Sequence, residues 1–532
     1  MNTGKYICTQ KCYFVSNPLH LKSMYSHDSR QFSFSEFLLP FEGKLESKNR
    51  WVQLAAMVPW QRFEKQYASL FSPDRGSPAK PFRMAFGALI LKERLNCSDE
   101  ELVEQIRENP YLQYFLGLEE FRNEAPFEAS MLVHFRKRIS LEMIGEVNEA
   151  LVAGLRGPEI PPSGDEPPAS KVSSSAAKPA PEESTSTKNT DNKVQLILDA
   201  TCAPADITYP TDSKLLNEAR EKSETLVDVL HTQCPKGSIK PRTYRKIARK
   251  KWLSFSKKRQ HTQTQIRKIN RSLLGYLGRN LKHLDKLIDQ VGLQTLGSAQ
   301  YKNLLVIQEV YRQQKEMFEQ RTQRTDGRIV SISQPHVRPI VRGKAGAKVE
   351  FGAKLSASLD GGYFFLDRLD WNNFNESKHL ISQVETYHQR RGYYPTSVHV
   401  DKIYRTKKNR DWCKEKGIRL SGPKLGRPLK NTPQNKEQIL QNKTLARQDE
   451  IDRIPIEGKF GQSKRRFGLD RVMTKLAITS QCVIAMTFLV INLEKGLRLL
   501  FLCLFYTHRI SIMALKNLIR HCTRKNTTMF AT

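Results

Sequence analysis

What this 532-residue chain has least of is negative charge: 54 Asp and Glu stand against 87 Lys and Arg, a net charge of +33. Between Asp228 and Asp285 there is no acidic residue at all, while 16 Lys and Arg fall in the same interval. A surplus of that size attracts polyanions over a Debye length and is a liability without one, so nucleic acid is the expected partner. Cysteine is scarce too. Nine in the whole chain, odd in number and scattered, exclude a disulfide framework and fit a reducing cytoplasm. Only Cys8 and Cys12 lie close together, and no second Cys or His pair completes a tetrahedral zinc site. The N-terminus lacks the basic start, apolar core and small-residue cleavage site of a signal peptide. Long apolar runs are missing as well. The best is Leu476 to Leu493, 18 residues without a charge, but it carries Thr479, Ser480, Gln481, Thr487 and Asn492 and is followed by Glu494, Lys495 and Arg498. A spanning helix needs about 20 mainly apolar residues, so a buried core helix is expected and no membrane. No organic cofactor is expected either.

A chain this long exceeds one hydrophobic core, and composition shows where it divides. Residues 156–192 are Pro, Ser, Lys and Glu with almost no large apolar side chain, which reads as a disordered linker because such a segment buries too little to offset its ordering entropy. Before it, residues 1–155 read as an all-α, helix-turn-helix-like domain. Met84 to Arg94 is an apolar helix, Ser98-Asp99-Glu100-Glu101 is a capping box, a short helix follows Asn109-Pro110, and Glu128 to Ile139 ends in Arg136-Lys137-Arg138. Arg136 and Arg138 admit two readings: phosphate contacts beside a groove-reading helix, or complements of a helix C-terminal dipole.

After the linker, an apolar strand runs Val194-Gln195-Leu196-Ile197-Leu198-Asp199, and a basic helical insertion is expected over 211–325. Within it Arg242, Arg245, Lys246 and Arg249 are spaced to line one helix face, as a rail for DNA phosphates or as a solvated surface. A β-hairpin then reads from Val349 to Leu359 and Tyr363 to Trp371 around Asp360-Gly361-Gly362. A helix from Glu376 to Arg391, a strand ending at Asp401, a helix from Arg405 to Lys416, a short strand from Ile418 to Ser421 and a helical element opened by Glu457 complete the order. Without the insertion this is the order of an α/β ribonuclease-H-like domain, assigned to 193–210 and 326–495, with a helical tail over 496–532. Carboxylates on its first and fourth strands are neighbours at the sheet centre.

Two strand-end carboxylates, Asp199 and Asp401, with the helix-borne Glu457, are what a pair of divalent cations requires. Mg²⁺ takes oxygen ligands and keeps part of its sphere for water and phosphate. Two such ions about 3.5–4 Å apart stabilise both the attacking and the leaving oxygen of an in-line displacement. Taken singly, an Asp at a strand end is a turn or cap residue, and Asp360, Asp206 and Asp212 read that way. Glu350 is an outside candidate, and His399, on the strand face of Asp401, reads as a satisfied core histidine.

These stretches resemble a bacterial insertion-sequence transposase of the DDE class. The resemblance rests on Leu198-Asp199-Ala200-Thr201 continuing to Tyr209-Pro210-Thr211-Asp212, on Val349-Glu350-Phe351-Gly352, Val400-Asp401, and Glu457-Gly458-Lys459-Phe460-Gly461-Gln462-Ser463-Lys464-Arg465-Arg466. Asn109-Pro110-Tyr111-Leu112-Gln113-Tyr114-Phe115-Leu116-Gly117 is similar to the family's DNA-binding domain. It implies that Asp199, Asp401 and Glu457 are the catalytic, metal-holding triad, with two Mg²⁺ or Mn²⁺. The family pattern Tyr-x2-Arg-x3-Glu-x6-Lys maps onto Arg453, Glu457 and Lys464, and Glu450 occupies its Tyr position. Arg453, Lys459, Lys464 and Arg465 are then DNA-binding. Further implications are double-stranded DNA as partner, both element ends and target, a homodimer on that DNA, and a bacterial cytoplasmic location on the nucleoid. A rival reading keeps the DNA binding without the chemistry: an inactive, transposase-derived repressor.

Overall fold

The structure is a computed structural model that describes residues 36–39, 43–72, 78–157, 195–341, 349–422 and 432–529, with side chains as far as 503. The expected linker, beyond Arg156 and Gly157, and the Cys8–Cys12 pair lie outside the described residues. Among the described residues seven helices come first: α1 (Arg50–Met57), α2 (Trp60–Ala68), α3 (Phe82–Leu95), α4 (Asp99–Glu108), α5 (Pro110–Phe115), α6 (Met131–Arg138) and α7 (Leu141–Arg156). Their starts carry the chemistry that helix starts need. Ser98 Oγ accepts the Glu101 N–H at 3.0 Å, and the Asn109 carboxamide caps α5 with Pro110 at its first position. Strand β1 (Gln195–Pro204) follows, then α8 (Asp212–Thr232), α9 (Arg245–Ser256), α10 (Gln263–Val291) and α11 (Ser298–Gln320). The rest is β2 (Arg338–Val341), β3 (Val349–Asp360), β4 (Tyr363–Asp370), α12 (Leu380–Arg391), β5 (Ser397–His399), α13 (Lys407–Glu415), β6 (Arg419–Leu420), α14 (Lys436–Arg466) and α15 (Ala477–Met529).

The molecule is mixed α/β with helix in the majority. Its sheet is ordered around β3, which pairs antiparallel with β1 on one edge and with β4 and β2 on the other. On the far side of β1 lie β5 and then β6, both parallel. The hairpin turns where the sequence says it should. Asp360 pairs with Tyr363, and the two glycines between them take φ of +57° and +78°, the mirror-image turn whose twist matches paired strands.

Helices α8, α10 and α11 close their own core around Leu216, Leu226, Leu273, Leu277, Ile307 and Val310. The N-terminal helices do not close on themselves. Their core, with Trp51, Trp60, Phe82 and Phe115, is continuous with Phe364 of β4 and Phe488 of α15, whose rings stack at 4.2 Å. Polar groups seal the junction. Asn492 Nδ2 donates to Phe364 O at 2.8 Å and to Asn148 Oδ1 at 2.9 Å, and Arg94 meets Glu494 at 2.6 Å. Over Ala477–Cys503, α15 is long and apolar enough to cross a membrane by length and composition, yet 78% of its most apolar window is buried inside this core.

Several expectations need correction. β1 does not end at Asp199: Ala200 to Pro204 stay paired to β3, so Asp199 sits mid-strand. Glu457 does not open a helix, because α14 begins at Lys436 and runs through Pro455. That proline lies on the exposed side, and the buried Ile456 and Phe460 hold the helix against the sheet where a backbone bond is lost. The tail expected from 496 is the continuation of α15. Asp360, expected as a turn residue, is buried and binds both Arg156 and Arg391.

Candidate active site

Parallel pairing of β1 with β5 sets Ile197 level with His399. Asp199 and Asp401 each lie two residues beyond that pair, Asp199 still within β1 and Asp401 past the end of β5. Asp199 lies opposite Ala357 of β3 and its Oδ1 accepts the Ala200 N–H at 2.8 Å. Burial pushes its carboxyl up to about 6; the Ala200 N–H and Arg453 act against that rise, while Glu376 and Glu457 add to it. Asp401, just past β5, caps the 3-10 turn Lys402–Tyr404 by accepting the Lys402 N–H at 2.7 Å, and its side chain is half exposed. Glu457 projects from α14 into solvent.

One guanidinium joins the three. Arg453, a turn before Glu457, places Nη1 3.5 Å from Asp401 Oδ1 and Nη2 4.0 Å from Glu457 Oε1, and its charge is felt by Asp199. Three residues that sequence reasoning passed over complete the neighbourhood. Lys354 of β3 holds Glu376 at 2.9 Å. The buried Tyr404 phenol is raised well above its ordinary value, first by burial and then by Glu376 and Asp199. The only signal for Glu376 was Asn375, a visible cap for the short turn that carries it, and nothing in the sequence tied that turn to Asp199.

The basic candidates separate once the fold is known. Lys464 lies two turns beyond Glu457 on the same helix, by spacing on the same side. Arg465 is exposed, whereas Lys459 is half-buried and depressed by burial and by Arg498 of α15, on the face turned from Glu457. Arg138 is exposed and lies over the Phe71 ring at 4.8 Å. Arg136 is a correction: it is buried and forks onto Asp99 at 2.6 and 2.7 Å, so it closes the helical core instead of facing a phosphate. The Arg242 to Arg249 stripe is also corrected. Tyr244, with φ +55°, breaks the chain before α9, so Arg242 precedes the helix, and Arg245 is held bidentately by Asp228 at 2.7 and 2.9 Å. Lys246 and Arg249 remain exposed.

Two family models match this chain: a transposase DDE domain over residues 398–494, which includes Asp401, Arg453 and Glu457, and a Transposase domain (DUF772) over residues 39–138. The chain belongs to the DDE transposases. A curated relative of this transposase, "Uncharacterized protein ORF8 in nfe locus" of Rhizobium meliloti, is 34% identical over 168 residues, 32% of this chain and 68% of the relative. No solved structure matches the transposase. Its partner class is therefore DNA, and such domains work with divalent metal. The side chains fit that need: burial raises the Asp199 carboxyl to about 6 despite Arg453, and two further carboxylates converge on the same guanidinium. Hard oxygen donors of this kind suit Mg²⁺ or Mn²⁺.

Proposed function

We propose that the transposase binds the ends of an insertion sequence, cuts phosphodiester bonds there and joins the freed 3′-OH to target DNA, with Asp199, Asp401 and Glu457 as the metal-holding triad. The strand order β4-β3-β1-β5-β6, antiparallel and then parallel, supports a ribonuclease-H-like reading of the sheet. The observation that carries the proposal is that Asp199 and Asp401 each follow, by two positions, the paired residues Ile197 and His399 of adjacent strands, with Arg453 3.5 Å from Asp401 and 4.0 Å from Glu457.

Bound divalent ions would supply a deprotonated nucleophile and neutralise charge developing on the phosphate. The chain's own groups do the rest. Asp199 offers a carboxylate in a partly desolvated setting, where its attraction for a cation is stronger than in water. Arg453 screens the repulsion between Asp401 and Glu457 and presents a guanidinium to the phosphate that approaches them. Lys464, on the same side of α14, meets the backbone further along. A homodimer on paired ends, two ions per site and a cytoplasmic, nucleoid-associated location belong to the same proposal. The buried face of α15 supports reading it as a core helix.

The test is metal-dependent nicking of DNA carrying the element ends. Asp401→Ala should abolish nicking and leave the gel-shift affinity within about threefold; nicking at the wild-type rate would overturn the triad.

A further inference from the structure

Strand β5 and helix α14 also meet at a second group of ligand-type side chains. His399, the last residue of β5, is fully buried, and Asp449 and Asp452 lie one turn apart on α14. His399 Nδ1 stands 3.7 Å from Asp449 Oδ1 and 3.9 Å from Asp452 Oδ2, and one ligand atom from each of the three lies within 4.8 Å of the others. Those separations are too long for hydrogen bonds, and Nδ1 has no hydrogen-bond partner. A buried nitrogen left so is destabilising unless something occupies its lone pair.

The same separations suit a shared cation. Ligand atoms about 2.1 Å from a metal sit roughly 3.0–3.4 Å apart at octahedral or tetrahedral angles, so His399 Nδ1 closes on each carboxylate by about 0.3–0.9 Å to seat the ion. The tautomer fits as well. His399 Nε2 lies 3.0 Å from Ser397 Oγ, and an Nε2–H donating there leaves the Nδ1 lone pair aimed at the two carboxylates. Asp449 is also held by Arg419 at 2.8 and 3.2 Å and accepts the Gly422 N–H at 2.7 Å, while Asp452 accepts from Gln448 Nε2 at 2.8 Å. Two carboxylates and one guanidinium leave the set at −1, which a divalent ion overcompensates by a single charge. An imidazole in the set selects a borderline transition ion over Mg²⁺.

We propose that His399, Asp449 and Asp452 form a structural site for a divalent transition metal of the Zn²⁺ type that pins α14 to β5. Asp401 lies two residues beyond His399 and Glu457 five beyond Asp452, so the pin sets the spacing of the carboxylates proposed for catalysis. It does not depend on their being catalytic.

The experiment uses the full chain carrying Asp401→Asn and Glu457→Gln, which weakens metal binding at the other site. After EDTA treatment the protein is dialysed against Zn²⁺ or Co²⁺ and its metal measured by atomic emission. About one ion per chain, a higher melting temperature and a Co²⁺ d–d spectrum with imidazole ligation are expected. Adding Asp452→Asn, whose carboxylate is one-fifth exposed, should weaken binding at least tenfold while the metal-free melting temperature holds. Unchanged affinity in that variant, or no retained ion in its parent, overturns the site. Should Asp452→Asn fail to fold, anomalous scattering from Zn²⁺-soaked crystals of the double variant decides: a peak bonded to His399 Nδ1 supports the site, and its absence overturns it.

Discussion

Arg453 Nη1 stands 3.5 Å from Asp401 Oδ1, although 52 positions separate the two residues and one belongs to a helix, the other to the end of a strand. The contact brings a guanidinium of α14 beside a carboxylate that follows β5, while the buried Ile456 and Phe460 hold the helix to the sheet. Arg453→Ala should therefore lower nicking by about 10²-fold at saturating metal, since a preorganised charge at a developing phosphate is worth a few kcal/mol. Thermal stability should change little, because an exposed partner such as Glu457 returns to water. Single-turnover rates and melting curves on the same preparations check both halves.

The buried Asp199 carboxyl gives a pH signature. It titrates at about 6 in the folded chain and 3.8 unfolded. Between those values the native state keeps a proton that the unfolded chain has released, so metal-free stability falls as pH rises from about 4 to 6. Above 6 the whole cost remains, on the order of 3 kcal/mol. Asp199→Asn should abolish nicking yet raise the metal-free melting temperature at pH 7.5, and flatten its pH dependence in EDTA. A variant less stable than wild type at that pH would contradict this account.

The two arginines that flank Lys137 should behave oppositely. Arg136→Ala strands a partly buried Asp99, and breaking such a pair costs about 3–5 kcal/mol. Arg138→Ala should leave stability alone, weaken DNA binding and reduce the slope of log affinity against log salt by about 1. Denaturant melts and salt-dependent gel shifts separate them.

Gly352 tests the β1–β3 junction. A Cβ there would run into the backbone of Ala203 and Pro204 across the strand pair. Gly352→Ala should cost about 3 kcal/mol or more, since backbone cannot yield as a side chain does. By contrast Gly145→Ala, on α7 with open space around it, should stabilise by about 0.5–1 kcal/mol.

Local signals survived folding where the chemistry was local. Ser98 and Asn109 capped the helices their positions promised, the paired glycines made the hairpin, and the uncharged run after Leu476 became a core helix because its polar Thr487 and Asn492 found partners in the helical core. Boundaries failed where packing outweighed propensity. Pro455 did not stop α14 because Ile456 and Phe460 held it down, and Arg242 left the expected stripe because Tyr244 turned the backbone.

For the candidate site the division is similar. By itself the sequence determined the surplus of positive charge, the strand and helix contexts of Asp199, Asp401 and Glu457, and the spacing that puts Arg453 a turn before Glu457, since each depends on neighbours along the chain. Only the tertiary structure decided that Arg453 bridges those carboxylates, that Glu376 stands near Asp199, that Arg136 faces inward, and that His399 confronts two aspartates. Those facts depend on how strands register and which helix face meets the sheet, and burial, not sequence distance, sets them.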